Sequence, residues 1–233
     1  MYRERKIFID VIIPAYNEQE SIAKVIGDID RNLIREVIVV NNNSSDLTEM
    51  NASTAGATVL NEMKQGYGAA CLKGMEYIKS KSTPPDIVVF LDADYSDHPE
   101  EMQQLIEPIL NEEADLVIGA RALDKRERGS MTPQQVFGNW LATRLLLMIY
   151  KTKFTDLGPF RAVRWDKLLT LNMCDEDYGW TVEMQLKAAK QKLKCAEVPV
   201  SYRRRIGVSK ISGTVNGTLK AGYKIITTIF KYV

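Results

Sequence analysis

The sequence predicts an α/β protein, a Rossmann-like, mostly parallel open sheet with helices on both faces, followed by a C-terminal region of mixed character. Three observations carry this. Four short runs, at 7–14, 36–41, 86–92 and 115–120, are rich in Val and Ile and do not alternate apolar with polar residues, as expected of strands covered on both faces. A helical pattern separates each run from the next, which is the β-α-β-α order of a doubly wound sheet. The 233 residues, 45% hydrophobic and 26% charged, suffice for a substantial core and exclude wholesale disorder. The length suits one large domain over 1–233 better than two independent units.

Taken in order, the first run, IFIDVIIP, leads into a helix that Asn17 and Glu20 are placed to open as a capping box. EVIVVN is the second strand. TVLNEM (58–63) adds a shorter one before a helix starting near Gly68. DIVVFLD is the next strand, and Pro99 with Glu100 and Glu101 makes a good first helical turn. DLVIGA at 115–120 closes this half. The stretch LDKRERGSM then reads as a charged loop. Residues 133–150 form a helix with a wide apolar surface (Val136, Phe137, Trp140, Leu141, Leu145, Met148), expected to be core, with a membrane surface as the alternative for an apolar stripe beside basic residues. Two helical stretches follow, then a strand at AEVPVSY, the loop RRRIGVSKISG and a last helix over 214–232.

Net charge is only +1, which implies no polyanionic partner, and nucleic acid is not expected. Its distribution says more. The segment from Lys187 to Val233 holds 11 Lys and Arg against the single acid Glu197, leaving 20 bases and 29 acids in the first 186 residues. Such asymmetry suits a tail that meets phosphate or an anionic membrane surface. No run approaches the ~20 apolar residues of a membrane span, and the start lacks the apolar stretch of a signal peptide. Cys71, Cys174 and Cys195 fall in no disulfide or zinc pattern, so a reducing cytoplasm is the default compartment.

Ligands of open α/β sheets bind beyond the carboxyl ends of the strands. Three runs end there in polar clusters: Pro14-Ala15-Tyr16-Asn17-Glu18, Asn41 through Asp46, and Asp92-Ala93-Asp94. Gly66 and Gly68 precede a helix, where backbone can approach phosphate or sugar closely. An isolated pair such as Asp92 and Asp94 is more often a solvated turn, but at a strand end beside the other clusters it suits a hard divalent cation completed by a diphosphate. For Glu183 the plain alternative is an ion pair with Lys187 at i+4. Trp140 and Trp180 read as packing residues. His98 is balanced between a turn role and a metal contact.

These motifs together resemble the donor half of a family 2 glycosyltransferase of the GT-A fold: IPAYNE, VVNNNSSD, GYGAA and LDADYSDHPEEM. GAR at 119–121, GPFRAVR at 158–164, YGWTVEM at 178–184 and EVPVSYRRRIGVSKISG at 197–213 are similar to the dolichyl- and polyprenyl-phosphate mannose and glucose synthases. The resemblance implies a nucleotide-sugar donor half at 1–120 and an acceptor half at 121–233 with a basic C-terminal segment. It implies inverting transfer from a nucleotide-diphosphate sugar. Pro14, Ala15, Tyr16, Glu18, Asn41 and Asn42 would line base and ribose, with Gly66, Gly68 and Ala93 also at the donor. Asp92 and Asp94 would hold Mg²⁺ or Mn²⁺ on the diphosphate. Many relatives carry Asp where this chain has Asn41 and Asn42, and an amide offers uracil both acceptor and donor, so a UDP-sugar is favoured over a GDP-sugar.

On the acceptor side Arg121, Arg161, Arg203, Arg205 and Lys210 fall at motif positions, and guanidinium forks bind phosphate oxygens in pairs. The expected acceptor is a polyprenyl phosphate at the membrane surface, placing the protein in the cytoplasm and peripheral on the cytoplasmic membrane. Asp94, Glu183 and Arg161 are the expected catalytic residues. A phosphate nucleophile needs little help from a base, being mostly ionised at pH 7; a sugar hydroxyl would need one, and Glu183 is then the candidate. The alternatives are such a hydroxyl acceptor, or a nucleotide-sugar-binding protein without turnover. A homodimer or a membrane protein partner stays open.

Overall fold

The structure is a computed structural model, and it describes residues 6–207 with Thr227, Thr228 and Lys231. Lys210 and nearly all of the expected helix over 214–232 lie outside the described residues.

The expected strands form as β1 (Ile9–Ala15), β2 (Glu36–Asn41), β3 (Thr58–Asn61), β4 (Ile87–Phe90), β5 (Leu116–Arg126) and β7 (Cys195–Tyr202), with one unforeseen strand, β6 (Arg161–Arg164). They make a single seven-stranded sheet in the order β3-β2-β1-β4-β6-β5-β7. Central β1 pairs parallel with β2 and β4, setting Ile12 beside both Ile38 and Phe90. β6 runs antiparallel between β4 and β5. The mostly parallel sheet is therefore reversed at one strand, which brings the second half of the chain onto the same sheet as the first.

Period-two alternation sorts the strands onto two cores. Ile12, Ile38, Val88, Phe90 and Ile118 face α3 (Tyr67–Lys79), α6 (Trp165–Thr170) and α7 (Trp180–Lys190). Val11, Ile13, Val37, Val39 and Val89 face α1 (Ile22–Gly27), α2 (Thr48–Thr54) and α4 (Met102–Leu110). Both faces are thus covered by helices, which is why the runs read as continuously apolar.

Several expectations are corrected. Asn17 does not cap α1. It takes a left-handed φ of 52° and its side chain accepts from the Ser45 amide at 2.8 Å, tying the β1 turn to the β2 turn. The supposed loop at 123–131 is strand as far as Arg126, because β5 keeps pairing with β7 beyond a register shift. The helix α5 (Pro133–Tyr150) forms with a full Thr132–Gln135 capping box, yet it is not core: it buries only Ala142, Thr143 and Leu146, while Phe137, Trp140 and Met148 are exposed. Trp180 packs as expected, edge-on to Phe90 with ring centroids 5.8 Å apart.

Candidate active site

The carboxyl ends of β1, β2 and β4 open onto a pocket of about 350 Å³. Its lining includes the expected Pro14, Ala15, Tyr16, Glu18, Asn42, Gly66, Asp92, Ala93, Asp94 and Arg205, together with Gln65 and with Tyr67, Ala70 and Tyr178 of the GYGAA and YGWTVEM motifs, which were not singled out as site residues. Tyr178 had a signal, being part of the quoted YGWTVEM motif. Asn41, Gly68, Arg121, Arg161, Glu183 and Arg203 do not line it.

The acidic rim is built by the turn after β4. Asp94 is nearly buried, and its Oδ1 accepts from the Ser96 amide at 2.9 Å and the Ser96 hydroxyl at 2.5 Å. Asp92 has an Oδ1 out of solvent contact with no hydrogen-bond partner. Burial, and then the charge of Asp94, push its pKa up to about 7. Asp97 is buried with both carboxylate oxygens unpartnered, and burial followed by Asp92 and Asp94 raise its pKa well above the ordinary value. Three carboxyl groups in one turn with so few donors make a cation-seeking rim.

The cation that reaches this rim is Arg205. The chain leaving β7 crosses the β4 turn, with Arg203 N donating to Ser96 O and Ile206 N to Asp94 O, both at 2.9 Å. That crossing sets the Arg205 guanidinium 2.7 Å from Glu18 Oε1 and 3.2 Å from Asp94 Oδ2. Glu18 is itself held by Ser21 Oγ and by its amide on Thr48 Oγ1. Arg205, expected on the acceptor side, therefore belongs to this pocket, joining the ends of β1, β4 and β7.

Other candidates have different duties. Arg203 is spent on the Tyr95 and Asp97 carbonyls, with its guanidinium 3.4 Å from the Tyr95 ring centroid. Arg121 makes a fork with Asp156, at 2.8 Å from Nε and 2.5 Å from Nη2. Burial works against both charges, but their mutual attraction prevails, raising the arginine and lowering the carboxylate. Arg161 is wholly buried and donates to the carbonyls of Leu157, Gly158 and Thr181, and burial lowers its pKa to about 10. It braces the β6 entrance and does not reach the pocket. Glu183 is also fully buried. It accepts from the amides of Cys174 and Asp175 and pairs with Lys187 at 2.7 Å, the plain alternative noted above. His98 Nδ1 meets Glu100 Oε1 at 2.8 Å, outside the pocket.

Of Asn41 and Asn42, expected at base and ribose, Asn42 lines the pocket, and both amides are hydrogen-bonded within the protein. The Asn41 amide is held by Asn61 and Ser44. Asn42 donates to the carbonyls of Glu62 and Lys64 and accepts from the Gly66 amide at 2.8 Å. Both side chains therefore shape the loop after β3. Gly66 and Gly68 are needed for a protein contact: a Cβ on Gly66 would lie 2.1 Å from the Glu176 carbonyl oxygen, and one on Gly68 2.0 Å from that of Asp175. Their bareness lets the 175–179 segment, with Tyr178, close on α3, an approach sealed by Ala69 N on Glu176 O at 2.9 Å.

Among the described residues no group of three or more His, Cys, Asp or Glu converges as a metal cage. Asp92 and Asp94 nevertheless fit a divalent cation as two hard oxygen donors. One has a buried oxygen lacking any partner, and ligands from a diphosphate would complete the shell.

The fold has counterparts in known proteins. The family model for glycosyl transferase family 2 matches residues 10–169. An uncharacterized glycosyltransferase of Mycobacterium tuberculosis is 33% identical over 91% of this chain and 94% of its own. An undecaprenyl-phosphate mannosyltransferase of Micrococcus luteus is 32% identical over 88% of each chain, and a dolichyl-phosphate hexose transferase of Haloferax volcanii 30% identical over 89% of this chain and 88% of its own. Among solved structures, the glucosyl-3-phosphoglycerate synthase of Mycobacterium tuberculosis, crystallised with Mn²⁺, uridine diphosphate and phosphoglyceric acid, superposes with a TM-score of 0.76 at 25% identity, covering 97% of this chain and 78% of the other. With a matched family model spanning most of the chain and relatives of this similarity along nearly its whole length, the protein belongs to glycosyl transferase family 2 and is a glycosyltransferase of GT-A fold.

Proposed function

We propose that this glycosyltransferase moves a sugar, with inversion, from a UDP-sugar to a polyprenyl-phosphate acceptor and depends on Mg²⁺ or Mn²⁺. The observation that carries the metal reading is the underpartnered Asp92 oxygen beside Asp94 at the pocket rim. A divalent ion there supplies Lewis-acid neutralisation of the diphosphate charge. The chain's own groups do the rest. Arg205, between Glu18 and Asp94, is positioned to turn toward diphosphate oxygens, and a charge-assisted guanidinium contact suits that role. Tyr16, Tyr67 and Tyr178 give the pocket aromatic walls for base or sugar.

The choice of UDP no longer draws on the asparagine amides, whose hydrogen bonds are used within the protein. It is supported by the uridine diphosphate and Mn²⁺ bound in the glucosyl-3-phosphoglycerate synthase structure. The acceptor reading is supported by the undecaprenyl- and dolichyl-phosphate relatives. It is also supported by the inward placement of Glu183, because a phosphate attacks the anomeric carbon without needing that carboxylate as base. The single continuous sheet supports one domain with a donor half at 1–120 and an acceptor half at 121–233. A membrane-peripheral, cytoplasmic location follows from a lipid acceptor. A second reading, a soluble phosphate-bearing acceptor, is favoured by the phosphoglyceric acid in the same solved relative.

Incubating the protein with Mn²⁺ and a panel of UDP- and GDP-sugars, with no acceptor, with a short polyprenyl phosphate or with phosphoglyceric acid, tests both. Release of UDP only when the lipid phosphate is added supports the proposal. Release of GDP instead overturns the donor, release with a soluble acceptor alone overturns the acceptor, and undiminished turnover in EDTA overturns the metal.

A further inference from the structure

Helix α5 is apolar on every side, yet it buries only the stripe of Ala142, Thr143 and Leu146. A helix of that character needs a second apolar partner. At about 100° per residue, Val136, Phe137, Trp140, Leu147 and Met148 fall within an arc of roughly 120° on the uncovered side, with Arg144 in its middle. Phe137 is 61%, Trp140 52% and Met148 68% exposed, and the two rings lie tilted by 34° with centroids 5.8 Å apart. The helix contains no acid, Arg126 and Arg128 precede it, and Lys151 and Lys153 follow it. Among the described residues no carboxylate pairs with Arg126, Arg144, Lys151 or Lys153. Behind Trp140 a groove of about 780 Å³ runs between α5 and β7, lined by Arg126, Arg144, Lys153, Trp140 and Leu147 among others; the two acids in its wall, Asp156 and Glu197, are held by Arg121 and by the Thr155 amide and hydroxyl.

We propose that α5 is an interfacial helix that seats the protein on an anionic lipid bilayer. Phe137, Trp140 and Met148 enter the boundary between headgroups and acyl chains, while Arg126, Arg144, Lys151 and Lys153 meet lipid phosphates. No described helix is long and apolar enough to cross a membrane, so α5 lies in the plane of the surface. Charge selects this occupant over a second copy of the chain. A symmetric contact through this face would set its unpaired cations against their own images with no acid on the helix between them, whereas an anionic bilayer supplies the missing charge.

The proposal is separate from the acceptor reading, since binding to vesicles requires no polyprenyl phosphate. Trp165 and Trp180, the other tryptophans, are buried, so Trp140 is a clean reporter. The experiment mixes the protein with phosphatidylglycerol-containing or pure phosphatidylcholine vesicles and follows flotation and tryptophan emission. Expected are a blue shift and quenching by brominated acyl chains with anionic vesicles, weakened by salt. A Phe137→Ser/Trp140→Ser/Met148→Ser variant with an unchanged thermal melt should partition on the order of tenfold less. Arg144→Glu should lose the preference for anionic vesicles. Absence of flotation with anionic vesicles overturns the proposal. So does full binding by the triple variant, which would place attachment elsewhere, and so does a concentration-dependent dimer that shifts Trp140 emission without lipid.

Discussion

Replacing Asp92 by Asn should stabilise the metal-free protein while ending turnover. Burial and the neighbouring Asp94 raise the Asp92 pKa from 3.8 to about 7. An acid with a raised folded-state pKa holds its proton more tightly when folded, so stability is full below pH 3.8 and is lost as pH rises toward 7. A displacement of about three pH units, at about 1.4 kcal/mol each, sets an upper bound of about 4 kcal/mol for the cost of ionising Asp92 in the fold. The residue keeps partial exposure to the pocket, and the Tyr67 hydroxyl, then Arg205 and Arg121, favour its charged form, so about 1–3 kcal/mol is the expected gain at about pH 8. Urea unfolding in EDTA at about pH 8 and about pH 5 measures it. Asp92→Asn should exceed the parent at the higher pH, and the gap should shrink at the lower one. Added Mn²⁺ should then raise the melting temperature of the parent and not of the variant. A gain under about 0.5 kcal/mol, or one that does not change with pH, would refute the account of Asp92 as a charge held under strain for a cation.

Gly68→Ala should cost about 3 kcal/mol or more, because its Cβ would stand 2.0 Å from the Asp175 carbonyl oxygen and neither backbone can give way cheaply; chemical denaturation reads it, and donor affinity should fall as the Tyr178 segment shifts. Glu183→Gln should cost about 2–4 kcal/mol through loss of the pair with Lys187, while the pH profile of kcat/KM keeps its shape; a vanished acidic limb would restore Glu183 as the base. Arg205→Ala should raise the donor KM by roughly tenfold or more, read by nucleotide-release kinetics, and an unchanged donor KM would remove Arg205 from the pocket. Arg121→Lys should destabilise by about 1–3 kcal/mol, since a single ammonium cannot replace the fork on buried Asp156.

The parallel strands were legible because burial on both faces writes an unmistakable signal, unbroken Val and Ile. β6 was not. Its four residues, Arg161–Arg164, carry two arginines and only two apolar positions, and its place is set by pairing with Val88, Val89 and Val117 on strands distant in sequence. The extension of β5 to Arg126 was hidden for a similar reason: charged LDKR is strand only because β7 lies alongside. For α5 the length and cap were readable and the exposure was not, since an apolar helix looks alike whether protein or another medium covers it.

The site divides along the same line. Residues at strand ends, Pro14 to Glu18 and Asp92 to Asp94, could be placed because chain direction alone fixes where they emerge. The arginines could not, since a guanidinium reaches far enough to choose among several partners, and here burial decided. Arg121 lies 10% exposed on Asp156, Arg161 lies on three carbonyls, and Arg203 on two more, each locked into the frame of the protein. Of the described arginines expected to bind phosphate, that leaves Arg205 facing the pocket, itself committed to Glu18 and Asp94. A phosphate-bearing acceptor must then draw its counter-charge from beyond this quartet. Arg126, Arg144 and Lys153 line the second groove without a carboxylate partner among the described residues, and Arg121 at its floor contributes charge to Asp92 across the sheet end. Among the described residues, Arg203 and Arg205 of the basic C-terminal segment therefore brace a self-repelling acidic rim, while Arg126, Arg144 and Lys153, from outside that segment, present positive charge on the α5 side.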